Sequence, residues 1–102
     1  MRSAVAIIIP PGISQKIGRA DHGEITEKEV HECFENHDGR LCWDSRPQHL
    51  DRQGRPSPWF VSETNKRRLL KIMFVRENED VHLKSAYPAT QQVHDLYERF
   101  GK

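Results

Sequence analysis

The densest group of reactive side chains in this sequence is basic. Lys66, Arg67 and Arg68 are consecutive, Lys71 follows three residues on, and His82, Lys84 and Tyr87 fall in the next apolar stretch. On one sheet face these groups would make a phosphate-binding patch. With a histidine or tyrosine to move protons they could cleave RNA without a metal: a 2′-hydroxyl attacks the adjacent phosphate while guanidinium or ammonium groups stabilise the developing charge. Arg46, Arg52 and Arg55, in the polar stretch 45–57, extend the set able to contact RNA. The plainer reading is that Lys66-Arg67-Arg68 is a solvated turn, because charge runs of this size commonly are.

Other chemistries find less support. Cys33, His37, Cys42 and His49 are ligand types zinc accepts, but the spacing C-x3-H-x4-C-x6-H lacks the close ligand pairs of structural zinc sites. No metal is expected. Serine, histidine and acid are all present, yet there is no G-x-S-x-G elbow. Neither a Walker-type loop nor G-x-G-x-x-G occurs, so no nucleotide cofactor is expected.

The elements that must position the basic groups are bounded by composition. With 102 residues, 35% apolar and 30% charged, residues 1–102 read as one domain with a small core. Sixteen basic against fifteen acidic residues leave a net charge of +1. Six basic and eight acidic residues lie in 1–50, and ten basic and seven acidic in 51–102, which makes the second half the basic one. The apolar run Ala4–Ile9 stops at Pro10-Pro11, far short of the roughly 20 residues of a membrane span, so no membrane partner is expected. No cleavage pattern follows it, which points to a cytoplasmic chain with reduced Cys33 and Cys42.

Residues 1–12 read as an extended N-terminal segment and Ile13 to Arg19 as a short helix. Thr26-Glu27-Lys28-Glu29 is a capping box, with Val30, Cys33 and Phe34 as the buried stripe of a helix ending near Asn36. Strands are expected at 40–44, 59–63, 69–75 and 81–86, joined as an antiparallel meander, with 45–57 a long polar loop. Turning symmetrically about Asn78-Glu79, the last hairpin sets Phe74 opposite Leu83 and Ile72 opposite Ser85, leaving Lys71, His82 and Lys84 on the face away from the core. Thr90 caps a final helix whose Val93, Leu96, Tyr97 and Phe100 form its apolar stripe. The expected fold is α+β: N-terminal helices, a four-stranded antiparallel sheet and a C-terminal helix, with the helices on one sheet face. Trp43 and Trp59, flanking the long loop, are expected to pack on the sheet.

His22-Gly23-Glu24-Ile25-Thr26 with Glu29-Val30 resembles the H-G-(x)-[VI]-[ST]-x-x-E-[AV] signature near the start of BrnT-type toxins, a branch of the RelE-like toxin superfamily. Arg68-Leu69-Leu70 before apolar Ile72–Val75 looks like their G-R-L-L strand, and Ser85-Ala86-Tyr87-Pro88-Ala89-Thr90 is similar to their S-A-R-x-A-T turn. The resemblance spans residues 22–100. It implies a RelE-like fold and a ribonuclease that cuts messenger RNA and is held in check by an antitoxin. Arg68 matches the family's basic residue before the Leu pair, whereas Tyr87 stands where the family has arginine. The family's tryptophan-aspartate opening is missing. Two functions follow as expectations. One is a metal-independent endoribonuclease in which Arg68, Lys71, His82, Lys84 and Tyr87 act at the phosphate and Lys66, Arg67, Arg46, Arg52 and Arg55 hold RNA. The other is a catalytically silent RelE-like domain that binds RNA or a protein partner.

Overall fold

A computed structural model describes residues 6–102. Five strands form one sheet: β1 (Ile7–Ile8), β2 (Cys42–Asp44), β3 (Ser57–Glu63), β4 (Leu69–Glu77) and β5 (Asp80–Pro88), in the order β1-β5-β4-β3-β2. Three α-helices accompany it: α1 (Pro11–Ile17), α2 (Glu27–Glu35) and α3 (Gln91–Phe100). The class is α+β, but the sheet is five-stranded and mixed. Ile7 and Ile8 pair with Val81 and His82 in parallel, and Val81 N donates to Ala6 O at 2.9 Å. A two-residue strand shows no alternation to read, and its partner lies more than seventy residues away, so sequence pattern gives no hint of it. Of the segment expected to be extended, residues 1–5 lie outside the described residues, and Pro11 and Gly12 already belong to α1.

The α2 boundaries follow from its cap. Thr26 Oγ1 accepts from Glu29 N at 3.1 Å while Glu29 Oε1 accepts from Thr26 N at 3.0 Å, which satisfies two amides at the helix start. Val30 and Cys33 are fully buried, and Phe34 meets Phe60 and Phe74 edge to face at 5.1 and 5.7 Å. These contacts seat α2 on the sheet face that carries Phe60, Leu70, Ile72, Phe74 and Leu83.

Alternation along β3 sends Trp59 and Val61 to the opposite face. There the buried Tyr97 of α3 approaches Trp59, ring centroids 6.3 Å apart. Helices therefore lie against both faces of β3, rather than on one, and β3 is buried from Ser57 to Ser62. Tyr97 also ties α3 to the loop after α2, its hydroxyl donating to Asp38 Oδ1 and to Arg40 O. A radius of gyration of 13.1 Å matches what a domain of this length should have.

Candidate functional site

The β4–β5 hairpin carries an irregularity that decides which side chains meet. Phe74 pairs with Leu83 and Val75 with His82, as symmetric turning about Asn78-Glu79 requires. Beyond them the register slips by one: Met73 pairs with Ser85, Ile72 with Ala86 and Lys71 with Tyr87, so Lys84 is the extra residue of a β-bulge. Without the bulge Tyr87 would lie opposite Leu70 on the α2 face. With it, Tyr87 joins Lys71, Lys84 and His82 on the Trp59 face. The expected pairing of Ile72 with Ser85 is thus corrected. Bulges are invisible in a hydrophobic pattern that buries both Ala86 and Ser85.

Lys71 lies half-buried in the middle of this face, its Nζ 4.6 Å from the centre of the Trp59 ring. Burial lowers its pKa, an effect that the nearby Asp44 carboxylate opposes. Asp44, at the end of β2, is buried and holds the loop that follows. It accepts from Arg46 N at 3.0 Å, from Arg46 Nε at 3.0 Å and from Arg46 Nη2 at 2.7 Å, and lies 2.6 Å from His49 Nδ1. Hydrogen bonds from Arg46 hold its pKa well below the usual carboxylate range, with His49 adding to the effect. At 2.6 Å from an ionised carboxylate, His49 Nδ1 must carry a proton. Its 2.9 Å approach to Arg46 Nη2 is then proximity and not a bond, and in the neutral ring Nε2 is the acceptor nitrogen.

The loop folds back over the same face. Ser57 Oγ and, at 3.5 Å, Lys84 Nζ both donate to His49 O. A 3-10 turn at Pro47–His49 and an Asp51 carboxylate bonded to the amides of Gln53 and Arg55 order the stretch expected to be long and polar. Tyr87 packs against His22, ring centroids 4.6 Å apart. The Nε2 of His22 and the hydroxyl of the buried Ser85, which the register sets opposite Met73, have no hydrogen-bond partner among the described residues.

The remaining expected site residues are placed elsewhere. The Arg68 guanidinium turns back to α2, where Nη1 donates to both Glu29 oxygens at 3.2 and 3.1 Å and Nη2 to Gly23 O. It is only about one-third exposed and so is not free to act at the phosphate as expected. Lys66 and Arg67 are exposed in the β3–β4 turn, where Arg67 has φ 64°. Arg52 and Arg55 belong to the loop at the opposite end of β3, Arg55 paired with Asp51 at 3.0 Å and Arg52 reaching Glu77 at 4.0 Å. Seven strand residues at ~3.3 Å each hold the two groups about 20 Å apart.

The four residues weighed as zinc ligands are dispersed. Cys33 donates to Ser62 O at 3.6 Å, and its thiol is pushed up to about 12 by burial. His37 stacks on Phe60 at 3.8 Å on the α2 side, while Cys42, paired with Trp59, and His49 belong to the other face. Among the described residues no three of His, Cys, Asp and Glu gather as a metal site.

Sequence reading alone missed the Asp44–Arg46–His49 cluster and the Trp59 platform. The spacing D-x-R-x-x-H just past a strand was the available signal. Compared with family models, curated proteins and solved structures, the chain matches none.

Proposed function

We propose that this protein is a toxin-like, metal-independent endoribonuclease acting on messenger RNA and counteracted by an antitoxin. The observation that carries the reading is the bulge at Lys84, which sets Lys71, Lys84 and Tyr87 on one face beneath a loop that delivers Arg46 and His49. In the proposed reaction His49 Nε2, oriented by Asp44, takes the proton of a ribose 2′-hydroxyl. The 2′-oxygen attacks the adjacent phosphorus, the bond to the 5′-oxygen breaks, and Tyr87 or Lys71 protonates the leaving oxygen. Lys84, Lys71 and Nη1 of Arg46 stabilise the charge on the phosphoryl oxygens. Arg68 acts through position, holding the Gly23 segment, and His22 beside it, against β5. The messenger-RNA substrate and the antitoxin rest on the resemblance to BrnT-type toxins described above.

A single-stranded, end-labelled RNA incubated with purified protein in low salt and EDTA should give fragments ending in 2′,3′-cyclic phosphate. His49→Ala and Lys84→Ala should each slow cleavage by about 10²-fold or more with unchanged circular dichroism. Intact RNA with folded wild-type protein would overturn the reading. A second reading is then favoured by Asp44, whose carboxylate already engages Arg46: a catalytically silent RelE-like domain that binds RNA or a protein partner without cleaving it. Retention of the same RNA by folded protein, weakening with salt, would support that alternative.

A further inference from the structure

Helix α3 turns Val93 and Tyr97 inward and leaves a second stripe outward: Gln92, Asp95, Leu96, Arg99 and Phe100, at i, i+3, i+4, i+7 and i+8. Leu96 is 47% exposed and Phe100 57%, a large apolar area for a helix of ten residues. Trp43, expected to pack on the sheet, is instead 60% exposed. It lines a groove of about 310 Å3 between β2 and the end of α3, together with Leu41, Trp59, Leu96 and Phe100. Asp95 and Arg99 stand one turn apart on the same flank of the stripe without bridging each other. Among the described residues Asp95 accepts only from Gln91 Nε2, at 2.9 Å, and Arg99 leans over the Phe100 ring at 5.9 Å.

We propose that this face binds a second copy of the chain, α3 against α3 antiparallel about a two-fold axis. The charges single out that occupant. In an antiparallel pair related by a two-fold, like flanks meet with their sequence reversed, so Asp95 of each copy faces Arg99 of the other and both pairs form at once. The same operation sets Leu96 against Leu96 and brings each Phe100 to the groove beside the other copy's Leu96, removing the exposed apolar area from water. A face whose acid, base, aromatic ring and groove all find their complements on itself suits an isologous interface. The groove shares Trp59 with the basic face around Lys71, but Lys84, Arg46 and His49 line no part of it.

Sedimentation equilibrium over a concentration series should show the mass rising from the 11.9 kDa chain toward twice that value. Asp95→Arg alone, or Arg99→Asp alone, should weaken association by about tenfold, because each turns two attractive pairs into repulsive ones. The double reversal Asp95→Arg with Arg99→Asp should restore it. Leu96→Glu should give a monomer, and circular dichroism should match the wild type for all four variants, since the altered side chains are exposed. A mass fixed at that of one chain up to millimolar concentration overturns the proposal. So does a dimer that is indifferent to the two single reversals or that the double reversal fails to recover.

Discussion

Arg68 shows how one residue can look catalytic by type and be structural by geometry. Its place in a basic run marks it as a phosphate ligand, but folding turns its guanidinium onto Glu29, the acid that also closes the α2 capping box. The partner lies 39 positions earlier, beyond the reach of any local pattern. Arg68→Ala removes the donor to the Gly23 carbonyl and leaves the Glu29 carboxylate only its bonds from Thr26, and should lower stability by roughly 1–3 kcal/mol in urea unfolding. Arg68→Lys should recover only part of that loss, because an ammonium cannot span both acceptors as the planar fork does. Loss of cleavage in Arg68→Ala would therefore not locate a catalytic group. His49 presents the opposite case: unremarkable in a polar loop, it is held by Asp44 and set over Lys84.

Among the elements, the ones written in local chemistry were legible. Thr26 and Glu29 announce α2, Thr90 caps α3 by accepting from Val93 N at 3.2 Å, and the apolar run from Leu69 becomes the central strand. The four antiparallel strands were readable because each is long or flanked by turn residues. What escaped depends on partners remote in sequence: the parallel β1, the helix on the second face and the slip at Lys84. Gly23 connects these levels. It has φ 106°, and a Cβ added there would lie 2.5 Å from Pro88 Cγ, at the end of the strand the bulge re-aims. Gly23→Ala should destabilise by more than about 1 kcal/mol, read as a lower urea midpoint, through both the positive φ and the collision with Pro88. Thr26→Ala, which removes one half of the capping box, should cost about 1 kcal/mol by the same measurement.

Across the whole molecule, acidic groups tie distant segments together, and acid should undo them. Burial alone would raise the pKa of Asp38, but hydrogen bonds from Arg40 and Tyr97 outweigh it and hold the group at about 2. Asp44 is held low chiefly by Arg46. A carboxyl whose pKa is lower folded than unfolded stabilises the fold fully above its unfolded value near 4. As pH falls the unfolded chain binds the proton first, so stability declines through the interval from about 4 down to about 2. Urea unfolding at pH 6 and pH 3 should show a drop in wild type that is smaller in Asp38→Asn. An equal drop in that variant would mean the α3 anchor contributes nothing to acid sensitivity.

The sheet ends in short strands on both sides. Its three long, apolar members lie inside, while β1 offers two residues and β2 three, and the Leu41 backbone just before β2 is already paired with Lys102 at 3.2 and 3.1 Å. At the β2 edge an incoming extended chain would find few free amides and carbonyls in a row, which disfavours there the runaway strand-upon-strand growth that leads to fibrils. That protection depends on the last residues staying on Leu41. Loosening them would uncover the rim of the sheet beside the exposed indole of Trp43.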